Sequence, residues 1–435
     1  MGVLPQEIQP GRPSSPAWLQ GVSRFKTTKP SVLLVTAQRW VSSARVAMSF
    51  AEAGWTVEVA CPRGHIFEST QAVSRRHPCR FFAIPYYIRR AIALAKPDLI
   101  LPCDDIVASH LRHLCDSGAS SSESDKLHEL LMRSLGDKSG YAELDSRSRV
   151  AALALQQGVA VPETVVVQSV ADLEAWFGKN GFPGVLKVDG TSGGYGVRIV
   201  STLEEAKDAY EALSIPVGLL CAVKRVVVDR NETYLMPAIQ RIPPVVNLQR
   251  FIVGEEATCT AACWQGEVLG WVALRVIKSS GRVGWSTVVQ VIDDPNVLLA
   301  IKKICRRLRV SGLYGFDFII ERDTGRPFLL EINPRATPTT HLRTSAGSLA
   351  FALRQALTGE GTKPEPLYKT DEKIALFPQE WHRDQASEFL RTARNDTPWS
   401  EPEFVRACLR RETPGVRAWF QPGGKLARIF AKVAG

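Results

Sequence analysis

The chain has 435 residues, 45% apolar and 23% charged, with 54 Lys and Arg against 44 Asp and Glu for a formal charge of +10. That length exceeds one ordinary domain, and the composition is that of a globular protein with a large buried core, which excludes fibrous and wholly disordered chains. Excess positive charge suits nucleic acid, an anionic membrane or phosphorylated small molecules; aromatic residues do not interleave the basic ones, so nucleic acid is the weakest of these partners.

Residues 1–28 are rich in Pro, Gly and Ser without periodicity, and are expected to form a flexible arm. The segment lacks the basic start and apolar core of a secretion signal, and Gln6 stands where a myristoylation motif at Gly2 would need Ser or Thr. No apolar run is long enough to cross a bilayer. Nine cysteines without a paired CxxC pattern fit a reducing compartment such as the cytoplasm; Cys259 and Cys263 share one face of an expected strand and read as buried thiols.

In chain order, SVLLVTA (31–37) is a buried strand, 43–53 has helical periodicity closed by Gly54, and 56–60 is a second strand, giving a β-α-β opening. The loop AQRWVSS between them has no glycine fingerprint, so a dinucleotide site is unsupported. A helix over 87–95 leads into PDLILPCDD, whose Asp104 and Asp105 read first as caps of the next helix and second as the edge of a ligand crevice. SGASSSESDK reads as a surface loop. Beyond it, GDKSGYAELDSRSRVAALALQQGVAVPETVVV gives a lysine-bearing start, a helix stopped by Gly158, and a strand after Pro162. A short helix over 170–179 and a strand over 184–188 follow.

KVDGTSGGYGVRIV then places four glycines between two strands. Phosphate loops of the Walker and Rossmann kinds run from strand into helix. This one runs from strand to strand, and the next helix starts at Ser201, whose spacing to Glu204 is that of a capping box. The glycines therefore form a hairpin tip that can fold over an anion, or a merely flexible turn. On the strand, Val185, Lys187 and Asp189 share one face and Leu186 and Val188 the other, so Lys187 needs solvent or an anionic partner, and beside the hairpin a phosphate oxygen suits it.

The stretch GLYGFDFIIERDTGRPFLLEINPRAT contains two strands joined by the turn RDTGR. Pairing centred near Thr324 sets Asp317 opposite Glu331, with Asn333 on the same face and Phe316, Phe318, Leu330 and Ile332 forming the apolar face. Carboxylates facing each other across an antiparallel pair repel unless a cation lies between them. Two carboxylates and an amide oxygen suit Mg²⁺, whose other positions are taken by water and nucleotide phosphates. A carboxylate turned to solvent is the bland alternative.

A lysine-bearing glycine hairpin followed by D-x(13)-E-x-N-P-R resembles the ATP-grasp superfamily, from about Lys138 to about Gly359. The resemblance implies an α/β and α+β chain: a Rossmann-like pre-ATP-grasp domain (29–125), a two-subdomain ATP-grasp fold (126–362) and a small C-terminal extension (363–435). It implies ATP with Mg²⁺, or Mn²⁺ in its place. Lys138 and Lys187 are then the phosphate-binding lysines, and Gly193, Gly194 and Gly196 the flap. Gln249, Arg250 and Ile252 border adenine, Glu256 holds the ribose hydroxyls, Asp317, Glu331 and Asn333 are the metal ligands, and Arg335 stabilises phosphate or substrate charge. Gln249 stands where many relatives carry an acidic residue, and Asp317 in place of glutamate is found among peptide-forming members. The implied reaction joins a substrate carboxylate, activated as an acyl phosphate, to an amine, with small-molecule substrates; a carboxylase, a phosphotransferase and a non-catalytic nucleotide-binding protein are the alternatives, and a homodimer is compatible with all of them.

Arg275 reads as an anchor before a substrate contact, and His341 as a locally bonded side chain before a base. KIALFPQEW is expected to add a strand to the body, with Trp381 and Trp399 as packing points. At the end Leu426, Ile429, Phe430 and Val433 share one face of an expected helix with Lys425, Arg428 and Lys432 elsewhere; docking on its own protein is favoured over a membrane surface.

Overall fold

Parallel strands buried on both faces open the chain. The computed structural model describes residues 29–80, 83–116, 122–144, 146–189, 196–216, 218–224, 235–240, 243–281, 284–345, 347–361 and 364–410. Strands β1 (Ser31–Val35), β2 (Thr56–Cys61), β3 (Arg75–Pro78) and β4 (Leu99–Pro102) form a parallel sheet in the order β3-β2-β1-β4. Val32 and Leu34 pack in the core beneath α1 (Ser42–Glu52), while Leu33 and Val35 pack against α2 (Ile84–Ala95), α3 (Asp105–Asp116) and α4 (Ser122–Leu135). Helix α2 begins three residues before the predicted start, because Pro85 suits a first helical turn. The serine-rich stretch read as loop is helical from Ser122 onward. There Leu127, Leu130 and Leu131 supply the apolar spacing that holds α4 on the sheet.

Asp104 fastens this sheet's carboxyl edge. One carboxylate oxygen accepts from the Val107 N–H at 2.9 Å, capping α3. The other accepts from Thr36 Oγ1 (2.7 Å), Ala37 N (2.6 Å) and Gln38 N (3.1 Å), which fixes the loop after β1. The residue is fully buried, and burial raises its pKa against the pull of these four donors.

A 3-10 turn (Lys138–Gly140), α5 (Tyr141–Leu144) and α6 (Arg147–Gln156) lead to a second sheet. It contains β5 (Thr164–Val167), β6 (Gly184–Val188), β7 (Val197–Val200) and β8 (Val246–Arg250), all antiparallel, in the order β5-β8-β6-β7. Helices α7 (Val170–Asn180) and α8 (Leu203–Ser214) cover one face, where Leu173, Trp176, Phe177 and Ala206 meet Leu186, Val188 and Leu248. The cap of α8 lies one residue beyond the predicted Ser201: Thr202 Oγ1 accepts from Glu205 N, and the Glu205 carboxylate accepts from Ser201 N at 2.7 Å. Short helices α9 (Leu219–Lys224) and α10 (Leu235–Gln240) precede β8.

The third sheet has the order β13-β12-β9-β10-β11-β14-β15. Its strands are β9 (Gly254–Trp264), β10 (Glu267–Ser279), β11 (Ser286–Val291), β12 (Gly312–Glu321), β13 (Pro327–Asn333), β14 (Lys373–Ala375) and β15 (Arg394–Asn395). Helix α11 (Pro295–Leu308) shares one apolar layer with α6 and the sheet, in which Cys259 and Cys263 are fully buried. On the other face α12 (Leu349–Thr358) lies between this sheet and α1, and Trp55 Nε1 donates to its Ala350 carbonyl at 2.9 Å. KIALFPQEW contributes β14, paired with β11 as a strand was expected to be. Trp399 is 75% exposed and is not a packing point; Trp381 is part-buried. The arm (1–28) and the terminal helix (426–433) lie outside the described residues, among which no helix is long and apolar enough to cross a membrane.

Replacing Asp104 by Ala leaves the Ala37 and Val107 N–H groups without an acceptor, while Thr36 and Gln38 keep their bonds to each other, so Asp104→Ala is expected to cost about 2–4 kcal/mol, read as a lower urea midpoint with an unchanged far-UV spectrum before the transition. An unaltered midpoint would show that the loop after β1 does not depend on this carboxylate.

Candidate active site

The chain passes from the second sheet to the third in three residues, Phe251 to Val253. Gly254 then lies so close to β12 that a Cβ there would stand 2.2 Å from the Ile320 carbonyl oxygen. This short crossing sets the uncovered face of the second sheet against the β13 edge of the third. A cavity between them is lined by Arg147, Thr164, Lys187, Asn247, Gln249 and Leu330.

Alternation along β6 places Lys187 on this face and Leu186 and Val188 in the core, as predicted. Lys187 Nζ donates to Gln249 Oε1 at 2.6 Å, and Gln249 Nε2 donates to Thr164 Oγ1 at 3.1 Å. Burial pushes the Lys187 ammonium down to about 8, helped by nearby Arg147 and opposed by Glu331, Asp317 and Glu256. Those same residues are the ones expected to gather around nucleotide and metal.

The register of β12 and β13 sets Asp317 opposite Glu331 and Gly315 opposite Asn333. A bulge immediately follows, so that Leu329 rather than the predicted Leu330 enters the core with Phe316, Phe318 and Ile332. Leu330, outside the core, lines the cleft beside Leu329. Burial, and then repulsion from Glu331, push the Asp317 carboxyl up to about 6, against hydrogen bonds from Thr258 and Asn333. Asn333 Nδ2 donates to Asp317 Oδ2 at 3.0 Å, and Asn333 Oδ1 accepts from Arg335 Nη2 at 3.1 Å.

Arg335 is held from the first sheet. Its Nε donates to Asp105 Oδ1 at 2.7 Å, and its guanidinium lies 4.8 Å from the Trp40 ring centroid. The paired aspartates thus divide their work: Asp104 caps α3 and Asp105 faces the site.

Among the described residues no hydrogen bond or ion pair joins Lys138 to this cluster. It is exposed on the 3-10 turn beside the end of α11, where Gly136 bridges Val310 just before β12 begins, whereas Asp317 lies five residues along that strand. Beside Lys187 the cleft holds a second cation, Arg147, which donates to the Val188 carbonyl and through Nη2 to Glu331 Oε1 at 3.0 Å, with Asp189 Oδ1 4.0 Å from Nη1. Arg147 occupies the first turn of α6, where no acidic residue offsets the helix's positive end. A basic residue at that unfavourable position was the sequence signal for it. Asn247, which donates to Asp189 at 3.0 Å while its own Oδ1 is buried without a partner, also belongs to the cleft and had not been singled out.

Among the other expected residues, Ile252 is buried in the crossing, Arg250 is exposed at the end of β8, and Glu256 near the start of β9 is solvent-exposed yet close enough to act on Lys187. Gly196 is described with φ 75°, a conformation that favours glycine; Gly193 and Gly194 lie outside the described residues. Arg275 pairs with Glu255 at 3.0 Å, an anchor as expected. His341 Nε2 lies 2.8 Å from Asp396 Oδ2 in a buried cluster with Arg45, so it is locally bonded and is not a lining residue of the cleft.

Residues 218–339 match the family model described as an ATP-grasp domain. Similar folds among solved structures include an Aspergillus clavatus N5-carboxyaminoimidazole synthase with ADP and 5-aminoimidazole ribonucleotide (13% identity, TM-score 0.55, 79% of this chain and 80% of that one). The Hydrogenobacter thermophilus 2-oxoglutarate carboxylase biotin carboxylase domain, in complex with MgADP, ADP and bicarbonate, is also similar (15%, 0.53, 78% and 71%). So is an L-amino acid ligase from Bacillus licheniformis (15%, 0.51, 78% and 76%). The match to an ATP-grasp domain spans the three-residue crossing between the second and third sheets, and the fold of the chain is similar to those of these solved structures.

Proposed function

We propose that the protein is an ATP-dependent ligase that activates a substrate carboxylate as an acyl phosphate and joins it to an amine. The observation that carries this reading is the convergence of two cations, Lys187 and Arg147, on an acidic pair, Asp317 and Glu331, where the second sheet meets the third. ATP-bearing and ADP-bearing relatives of the same fold support nucleotide as one substrate.

A divalent cation fits the acidic pair. Two opposed carboxylates, one pushed up to about 6, are relieved by positive charge between them. Asp317 and Glu331 would hold Mg²⁺, and Asn333 would join them if its amide oxygen gave up Arg335. When bound, the ion would offset phosphate charge. Lys187 and Arg147 then hold the phosphate oxygens, which requires Arg147 to release Glu331. Leu330 and Ile252 offer apolar surface for the base, and Gln249 offers an amide to its edge. Arg335, positioned by Asp105 and Trp40, receives the substrate carboxylate. A carboxylate oxygen attacks the γ-phosphorus and ADP departs; the amine attacks the acyl carbon and phosphate departs. Buried free thiols fit a reducing cytoplasm.

ADP release should require both a carboxylic acid and an amine when mixed pools are supplied, and bicarbonate alone should not replace them. Lys187→Ala and Arg147→Ala should each slow it by about a hundredfold or more, while Lys138→Ala leaves it unchanged. Release with bicarbonate alone would assign a carboxylase, and equal rates in the Lys187 variant would end the proposal.

The depressed Lys187 makes a second, pH-dependent expectation. Its folded value of about 8 lies below the ordinary 10.5, so between these values the unfolded chain binds more protons and stability rises with pH. Relative to Lys187→Met, the wild type without ligand should therefore gain stability from pH 8 to pH 10.5, as read from urea midpoints at each pH. A constant difference would mean that the ammonium is not desolvated.

A further inference from the structure

A second cavity, about 180 Å³ in volume, opens between the end of α1 and the start of α12, lined by Ser49, Ala53, Gly54, Arg343, Phe351 and Arg354. It lies away from the cleft. Helix α1 leaves the carboxyl edge of the first sheet, where Asp105 meets Arg335, and its 11 residues carry the chain ~16 Å toward the opposite edge.

The lining is that of an anion receptor. Among the described residues neither Arg343 nor Arg354 pairs with a carboxylate, and the Nε–H of each is buried without an acceptor. A guanidinium cannot shed its proton, so a buried donor of this kind is costly until an acceptor arrives. Gly54 makes room for one of the two: a Cβ there would stand 3.3 Å from Arg354 Nη1. Ser348, the N-cap of the ten-residue α12, also lines the cavity and brings the positive end of that helix to it. Glu52 lies exposed at the rim, and His341 is committed to Asp396. Two arginines and a helix start therefore face one space, and its one lining carboxylate, Glu52, pairs with neither arginine.

We propose that this cavity binds a small oxyanion, the phosphate or carboxylate group of a metabolite, at a site separate from the cleft. The proposal does not depend on what the cleft does. Calorimetric titration of the full chain with inorganic phosphate, and in a parallel arm with succinate, tests it. One of the two should bind saturably, and Arg343→Gln combined with Arg354→Gln should weaken that binding by at least about tenfold, the worth of one charge-assisted hydrogen bond. Ala53→Phe, which fills the space and leaves both arginines in place, should do the same. Lys187→Ala should not. Binding of phosphate alone assigns a phosphate-bearing ligand, and of succinate alone a carboxylate. The proposal falls if neither anion binds, if binding survives filling of the cavity, or if Lys187→Ala abolishes it, which would put the anion in the cleft.

Discussion

Two carboxylates fixed across neighbouring strands repel, and the rest of the cleft answers that repulsion. β12 and β13 leave Asp317 and Glu331 no way to separate, because their positions follow from backbone pairing. Each has been given a different partial relief. Asp317 takes an amide hydrogen from Asn333, and Glu331 takes the Arg147 guanidinium. Neither cancels the repulsion, since Asp317 still holds its proton well above the ordinary carboxylate range. A small ion of high charge, as proposed above, would relieve it further.

The same economy extends to the first sheet. Adjacent aspartates at one strand end serve two masters: the buried one ties down the loop carrying Trp40, and its neighbour holds Arg335. A side chain in the third sheet is thereby oriented by groups from the first. Such support would matter if, as proposed, Arg335 meets a planar carboxylate, because a misplaced fork forfeits one of its two bonds.

Much of this was legible in the residues. The turn RDTGR fixed the mirror point of the hairpin, so the pairing of Asp317 with Glu331 followed from symmetry. Lys187 was legible because a charge interrupts an apolar run. The bulge was not: in LLEIN either leucine satisfies an apolar pattern, and only packing against α6 and α11 decides that Leu329 goes inward. Lys138 rested on the resemblance of GDK to a phosphate-binding start, yet distance along β12 separates that turn from the acidic pair, and nothing in the resemblance pointed to Arg147. The role of Asp105 was hidden because a cap and a site residue look alike in sequence, and capping was satisfied by Asp104 alone.

The hydrophobic layer between the first and third sheets draws on Val32, Phe50 and Trp55 near the beginning of the chain and on Ile374, Leu376, Phe404 and Cys408 near its end. During synthesis from the amino terminus, those early side chains emerge long before their partners do. The layer can be sealed only when the last of these segments has left the ribosome. Until then β11 lacks its β14 neighbour, and the nascent protein keeps an apolar seam open to solvent.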